Sequence, residues 1–179
     1  FLVEIVAGVQ SGSLSLLADA VDFAGDAMNY AVSLAVLASA LAWRARAAML
    51  KALSMMGFGL YVLGAALWSV WNGGVPQATT MGSIALVALV ANVAVAWMLY
   101  AFREGDANMR SVWLCSRNDA IGNLAVFIAA LGVFGTASAW PDLAVASLMA
   151  VLALHAGWTV LQQARGELGV DMAKEEHHG

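Results

Sequence analysis

The chain is short of charge, cysteine and proline, and each shortage excludes something. Lys, Arg, Asp and Glu make up only 11% of its 179 residues, where a soluble domain carries about 25%. A single cysteine, Cys115, excludes an intrachain disulfide, and no Cys-x-x-Cys or Cys/His cluster marks a structural zinc module. The eight basic residues form no stripe that would suit a nucleic acid. No phosphate-cradling loop and no nucleophile with a neighbouring base accompany them, so no covalent chemistry is implied. The two prolines, Pro76 and Pro141, fall at turns between apolar stretches. What remains is 62% hydrophobic residues and a mean hydropathy of +0.79, a balance that belongs in a bilayer.

Cutting the sequence at Gly, Pro and charge clusters predicts an all-α polytopic protein of six transmembrane helices. Phe1 to Val9 is too short to cross and lacks the basic start of a signal peptide, so it reads as the second half of a first helix truncated at its N-terminus. Five spans follow: Leu14 to Trp43, Met49 to Trp71, Thr80 to Phe102, Ser111 to Phe134 and Leu143 to Leu161. Each offers the ~20 mostly apolar residues a spanning helix needs. Short turns between them make sequential helices antiparallel neighbours. The reading divides the chain into a transmembrane domain, 1–164, and a short cytoplasmic tail, 165–179. Basic residues gather at the second turn (Arg44, Arg46, Lys51), the fourth (Arg103, Arg110, Arg117) and the tail (Arg165, Lys174). By the positive-inside rule both termini then face the cytoplasm, in a plasma or inner membrane.

Against this background the acids inside the spans stand out. Asp22 and Asp26 lie four residues apart, on one face of the second helix. An aspartate at mid-bilayer costs at least about 2.5 kcal/mol, and an intramembrane acid reads as functional by default. The fifth span adds Cys115-Ser116-Arg117-Asn118-Asp119, in which Cys115 and Asp119 share a face by the same spacing. Helical rise puts Asp22 and Asp26 roughly 12 and 18 Å from the outer end, and Cys115 and Asp119 roughly 6 and 12 Å from the cytoplasmic end. In a core of ~30 Å the two pairs approach one level. Three carboxylates and a thiolate repel one another in a low dielectric, and a divalent cation resolves the conflict. Oxygen and sulfur donors in fourfold coordination suit Zn²⁺ or Cd²⁺ better than Mg²⁺ or Ca²⁺. Protons taking the metal's place would couple the two movements in opposite directions.

The segment Ser-Gly-Ser-Leu-Ser-Leu-Leu-Ala-Asp-Ala-Val-Asp-Phe-Ala-Gly-Asp, Ser11 to Asp26, is similar to the second helix of the cation diffusion facilitator family, with its His/Asp-x-x-x-Asp motif. Asp119 to Val126, Asp-Ala-Ile-Gly-Asn-Leu-Ala-Val, resembles the stretch that follows the family's fifth-helix motif. The resemblance implies metal ligands at Asp22, Asp26, Cys115 and Asp119, with Asn118 as a neutral alternative to the thiol. It implies export of a divalent transition metal in exchange for protons, Zn²⁺ first, with Cd²⁺, Co²⁺, Fe²⁺ and Mn²⁺ also admitted, by a homodimer. Two departures are Cys115, where the family offers His or Asp, and Arg44 to Lys51 in place of a Gly- and His-containing loop. The family's cytoplasmic metal-sensing domain has no counterpart here, so a transmembrane-only member is expected. A different class stays open: a proton-conducting channel or membrane subunit whose acids never bind metal.

The remaining polar residues have plainer expectations. Asp19, near the outer mouth, reads either as a vestibule acid that attracts or receives cations or, more simply, as a solvated acid in the first turns of the second helix. Asn92 and Asn123 read as interhelical hydrogen-bonding residues. His155 reads as a satisfied buried histidine, and Arg117 as a cation that snorkels or pairs with Glu104 or Asp106. Gly57, Gly59, Gly64, Ala65 and Ala66 allow close helix contact, including across a dimer.

Overall fold

The computed structural model describes the backbone of residues 2–35, 41–102 and 107–177. Side chains are described within these segments except at 28–30, 32–35, 41–44, 102, 107–115 and 167–177. Among the described residues there are six α-helices: α1 (Leu2–Ser11), α2 (Leu14–Ala35), α3 (Leu41–Asn72), α4 (Ala78–Met98), α5 (Ala107–Thr136) and α6 (Trp140–His177). A 3₁₀ turn, Tyr100–Phe102, follows α4. Among the described residues there is no strand. Ala45–Asn72, Ala78–Met98, Ser116–Thr136 and Trp140–Gly166 are each long and apolar enough to cross a membrane. The 22 residues of α2 match them in length, and its three aspartates account for its lower apolarity. The chain is an all-α polytopic membrane protein.

Its outer surface agrees. Trp97 is 82% exposed and Phe134 74% exposed, amid a belt of exposed large apolar side chains on every long apolar helix. Lipid tails, not water, are the solvent for such a surface.

Inside, α2 separates two small cores. Leu16 packs with Ala7 of α1, Met81 and Ala85 of α4, and Val126, Ala129 and Ala130 of α5. Ala18 packs with Val62 of α3 and Ala146 and Ala150 of α6. The most extensive helix contacts are α3 with α6 and α4 with α5. Small residues permit the first of these. A Cβ on Gly59 would lie 3.0 Å from Leu154 Cγ and 3.1 Å from the Ala150 carbonyl, and one on Gly157 would lie 2.7 Å from Met56 Cγ. Gly57 and Gly64 meet nothing within 4 Å, so only part of the predicted small-residue stripe serves contact within this chain.

Several boundaries differ from the sequence reading, among them the second span, expected to run to Trp43, since Leu41 to Trp43 already belong to α3. Arg44-Ala45-Arg46 is not a turn: α3 already begins at Leu41. Ala and Arg are strong helix formers and no Gly or Pro interrupts them, so charge marks the membrane surface there without ending the helix. α4 stops at Met98, short of the Phe102 expected, and the predicted fourth turn, 103–106, lies outside the described residues. At the other end α6 continues to His177, because Gln, Ala, Glu and Lys sustain a helix after the apolar run has ended.

Candidate functional site

The connection between α1 and α2 sets the height of everything on α2. Gly12 adopts a positive φ of 70°, and Ser13 N–H donates back to the Gly8 carbonyl at 3.1 Å, a left-handed helix cap of the kind glycine permits. Ser13 then caps α2, its Oγ accepting from Leu16 N–H at 3.1 Å. The α1 end is also tied to the α3–α4 turn, since Gln77 N–H donates to the Ser11 carbonyl at 2.8 Å.

A buried carboxylate completes this corner. Asp142, in the first turn of α6, is 0% exposed. Its Oδ1 accepts from Ser13 Oγ at 2.7 Å, Ser15 Oγ at 2.6 Å and Ser15 N–H at 3.1 Å, while Oδ2 accepts from Leu14 N–H at 2.8 Å. One anion thus satisfies two of the backbone donors that the start of α2 would otherwise leave open, and adds charge where the helix dipole favours it. Gly132 makes the approach possible from α5, because a Cβ there would lie 2.8 Å from Pro141.

One turn and more below this clamp lie the acids. Asp22 is exposed, and Asp26 and Asp119 are half-buried. Asp119 of α5 is within electrostatic range of Asp26, Asp22 and Glu4. Asp22 is within range of Asp26 and of Lys51 on α3. Gly25 faces Met55 of α3 at 3.9 Å for an added Cβ, so α2 and α3 run close beside the pair. Lys51, expected at a cytoplasmic turn, lies inside α3 and sets a positive charge near Asp22.

The other expected ligands stand differently. Asn118 is exposed, and its Oδ1 accepts from Arg117 Nη2 at 3.2 Å. Cys115 lies on α5, with its side chain outside the described residues. Among the described residues no three His, Cys, Asp or Glu side chains approach closely enough to hold one metal ion together. The acids of α2 and α5 therefore share an electrostatic field without being drawn into one coordination sphere.

Asp19 corrects an expectation. It is 5% exposed, not solvated, because α1 and α5 close over it. Its Oδ1 sits 2.9 Å from where a Cβ on Gly122 would be, and Glu4, Asp22 and Asp119 are in electrostatic range. Glu4, on the buried stripe Glu4, Ala7, Gly8 and Ser11 of α1, is 4% exposed. Asn123 is also corrected: its Nδ2 donates to the Asp119 carbonyl of its own helix at 2.9 Å, so it makes no interhelical bond from that end. His155 is exposed, not buried. Asp142 and Glu4 went unnoticed in the sequence, and Lys51 was read only as a basic residue of a cytoplasmic turn. For Glu4 the available signal was an acid within an apolar run. For Asp142 it was an acid at a span's start, with Ser13-x-Ser15 at another's.

A groove of about 680 Å³ lies at the Leu14 end, lined by Tyr61, Trp68, Asn72 and Pro76 among others, and none of the acids borders it.

Residues 1–168 match the family model described as the cation efflux transmembrane domain. Among curated proteins the chain is similar to the metal cation efflux system protein CzcD of Cupriavidus metallidurans, 26% identical over 98% of this chain and 61% of that protein. It is 25% identical to the cadmium, cobalt and zinc/H(+)-K(+) antiporter of Bacillus subtilis, over 89% of this chain and 56% of the relative. With the zinc transporter ZitB of Escherichia coli it shares 28% identity over 93% of this chain and 58% of the relative. The chain spans about three fifths of the length of these relatives.

Proposed function

Because the chain belongs to the cation diffusion facilitator family, we propose that it carries a divalent transition-metal cation out of the cytoplasm in exchange for protons, with Zn²⁺ as first substrate. The observation that carries this reading is the shared field of Asp22, Asp26 and Asp119, contributed by two different helices. Such a set in a low-dielectric span has a use for a mobile cation and little use otherwise. Relatives named for cation efflux, for cadmium, cobalt and zinc antiport and for zinc transport support the cargo class.

In this reading Asp22 and Asp26 hold the ion from α2, Asp119 holds it from α5, and Cys115 or Asn118 completes the sphere. When the ion leaves, protons neutralise the same oxygens, which couples the two fluxes in opposite directions. The closely packed pairs α3–α6 and α4–α5 move as units on either side of α2, exposing the site to one face at a time. Basic residues in the first half of α3, in the sequence between α4 and the middle of α5, and in the tail support cytoplasmic termini, and a homodimer is the proposed assembly.

The test is reconstitution of the full chain into proteoliposomes, with one dye reporting Zn²⁺ and another reporting luminal pH. Zn²⁺ movement with opposite proton movement is expected, and Asp26→Asn and Asp119→Asn should each abolish both. Wild-type Zn²⁺ flux through Asp26→Asn would sink the assignment. Proton flux that ignores metal altogether would point to a proton conductor.

A further inference from the structure

We propose that Glu4, Asp19 and Asn123 form a second station for a divalent cation, on the Leu14 side of the Asp22–Asp26 pair. The proposal rests on the transporter reading and extends the path of the same ion. Three helices contribute: Glu4 from α1, Asp19 from α2 and Asn123 from α5. Glu4 is 4% exposed, Asp19 5% and Asn123 0%, so the station is interior.

Two of its oxygens, one on Asp19 and one on Asn123, await a positive ligand. Asp19 Oδ2 is enclosed and takes no hydrogen bond among the described residues. Asn123 supplies an independent sign. Its Nδ2 is spent on the Asp119 carbonyl of its own helix, which leaves the opposite end of the amide, Oδ1, turned away from that backbone. Oδ1 too is enclosed and accepts from nothing among the described residues. Buried acceptors of this kind call for a donor, a water or an ion. Carboxylate and amide oxygens together suit a divalent cation that keeps part of its water shell.

The local backbone makes room for it. Gly122 precedes Asn123, and its missing Cβ is what lets Asp19 Oδ1 approach α5. Asp19 is one short turn above Asp22, a step of about 4.5 Å along the helix axis. Asp119 is in electrostatic range of both Asp19 and Asp22, and so bridges the two stations. An ion at either one weakens the hold on an ion at the other, which favours release over trapping.

The experiment is equilibrium dialysis of radiolabelled Zn²⁺ against the full chain in nanodiscs, with His177→Ala and His178→Ala removing the tail imidazoles. Two ions per chain are expected, one lost in Asp119→Asn and the other in Asp19→Asn. Gly122→Ala retains every donor and displaces only the Asp19 carboxylate, so it should release the same ion as Asp19→Asn. That variant decides the matter should Asp19→Asn fail to fold. A single ion removed by Asp119→Asn and unaffected by Gly122→Ala would refute the second station while leaving the transporter reading intact. Absence of any bound ion would overturn both.

Discussion

Replacing Asp142 by asparagine changes one atom of a buried carboxylate and keeps its shape, so it isolates what the charge does at the start of α2. If the amide oxygen takes the place of Oδ1, the amide nitrogen faces Leu14 N–H, which now donates to Oδ2 at 2.8 Å. A buried donor stranded in this way costs about 1–3 kcal/mol. The three bonds to Oδ1, from Ser13 Oγ, Ser15 Oγ and Ser15 N–H, lose their charge assistance, about 0.5–1 kcal/mol apiece. The helix dipole of α2 also loses its anion. Together these give a destabilisation of roughly 3–5 kcal/mol, because bonds within one network do not add fully. Rotating the amide does not help: its nitrogen can donate to the two serine hydroxyls, which turn to accept, but it then strands Ser15 N–H in place of Leu14 N–H. The assay is equilibrium unfolding in mixed micelles of increasing SDS, followed by the fluorescence of the seven tryptophans. Ser15→Ala should cost about 1 kcal/mol and should cost less again in the Asp142→Asn background. A loss under about 1 kcal/mol for Asp142→Asn, or full additivity with Ser15→Ala, would refute the clamp.

Other substitutions test other parts of the bundle. Gly157→Ala puts a Cβ 2.7 Å from Met56 Cγ and 3.0 Å from the Ala52 carbonyl, and should cost about 1–3 kcal/mol by forcing α3 from α6; an unchanged SDS midpoint would contradict that packing. Ala137 holds a φ of 50° without being glycine, so Ala137→Gly should stabilise the α5–α6 turn by up to about 1 kcal/mol, read as a higher midpoint in the same titration. Lys51 stands within electrostatic range of Asp22 and competes with any cation there. Lys51→Met should therefore tighten Zn²⁺ binding measured by dialysis at low salt, and a weaker affinity would show that the lysine supports the site.

Why some of this was legible in the sequence and some was not is a matter of range. Apolar runs, the Gly12-Ser13 junction and the four-residue spacing of Asp22 and Asp26 are local, and local rules recover them. The boundary at Arg44 to Arg46 misled because charge reports where the membrane ends, whereas helix propensity reports where the helix ends, and the two part company in a run of Ala and Arg. Asp142 was out of reach because its partners are 127 to 129 residues away, and nothing in its own neighbourhood names them. His155 was misjudged for a different reason. In a lipid-facing protein the interior holds only part of each helix, so a polar residue in an apolar run has an outward face available as well as a buried one. Asp19 shows the same rule in reverse. Its place in the first turns of α2 suggests solvent, but α5 closes on it at Gly122 and Glu4 of α1 stands in electrostatic range. Burial belongs to the packing of three helices, and the spacing along one of them carries no record of the other two.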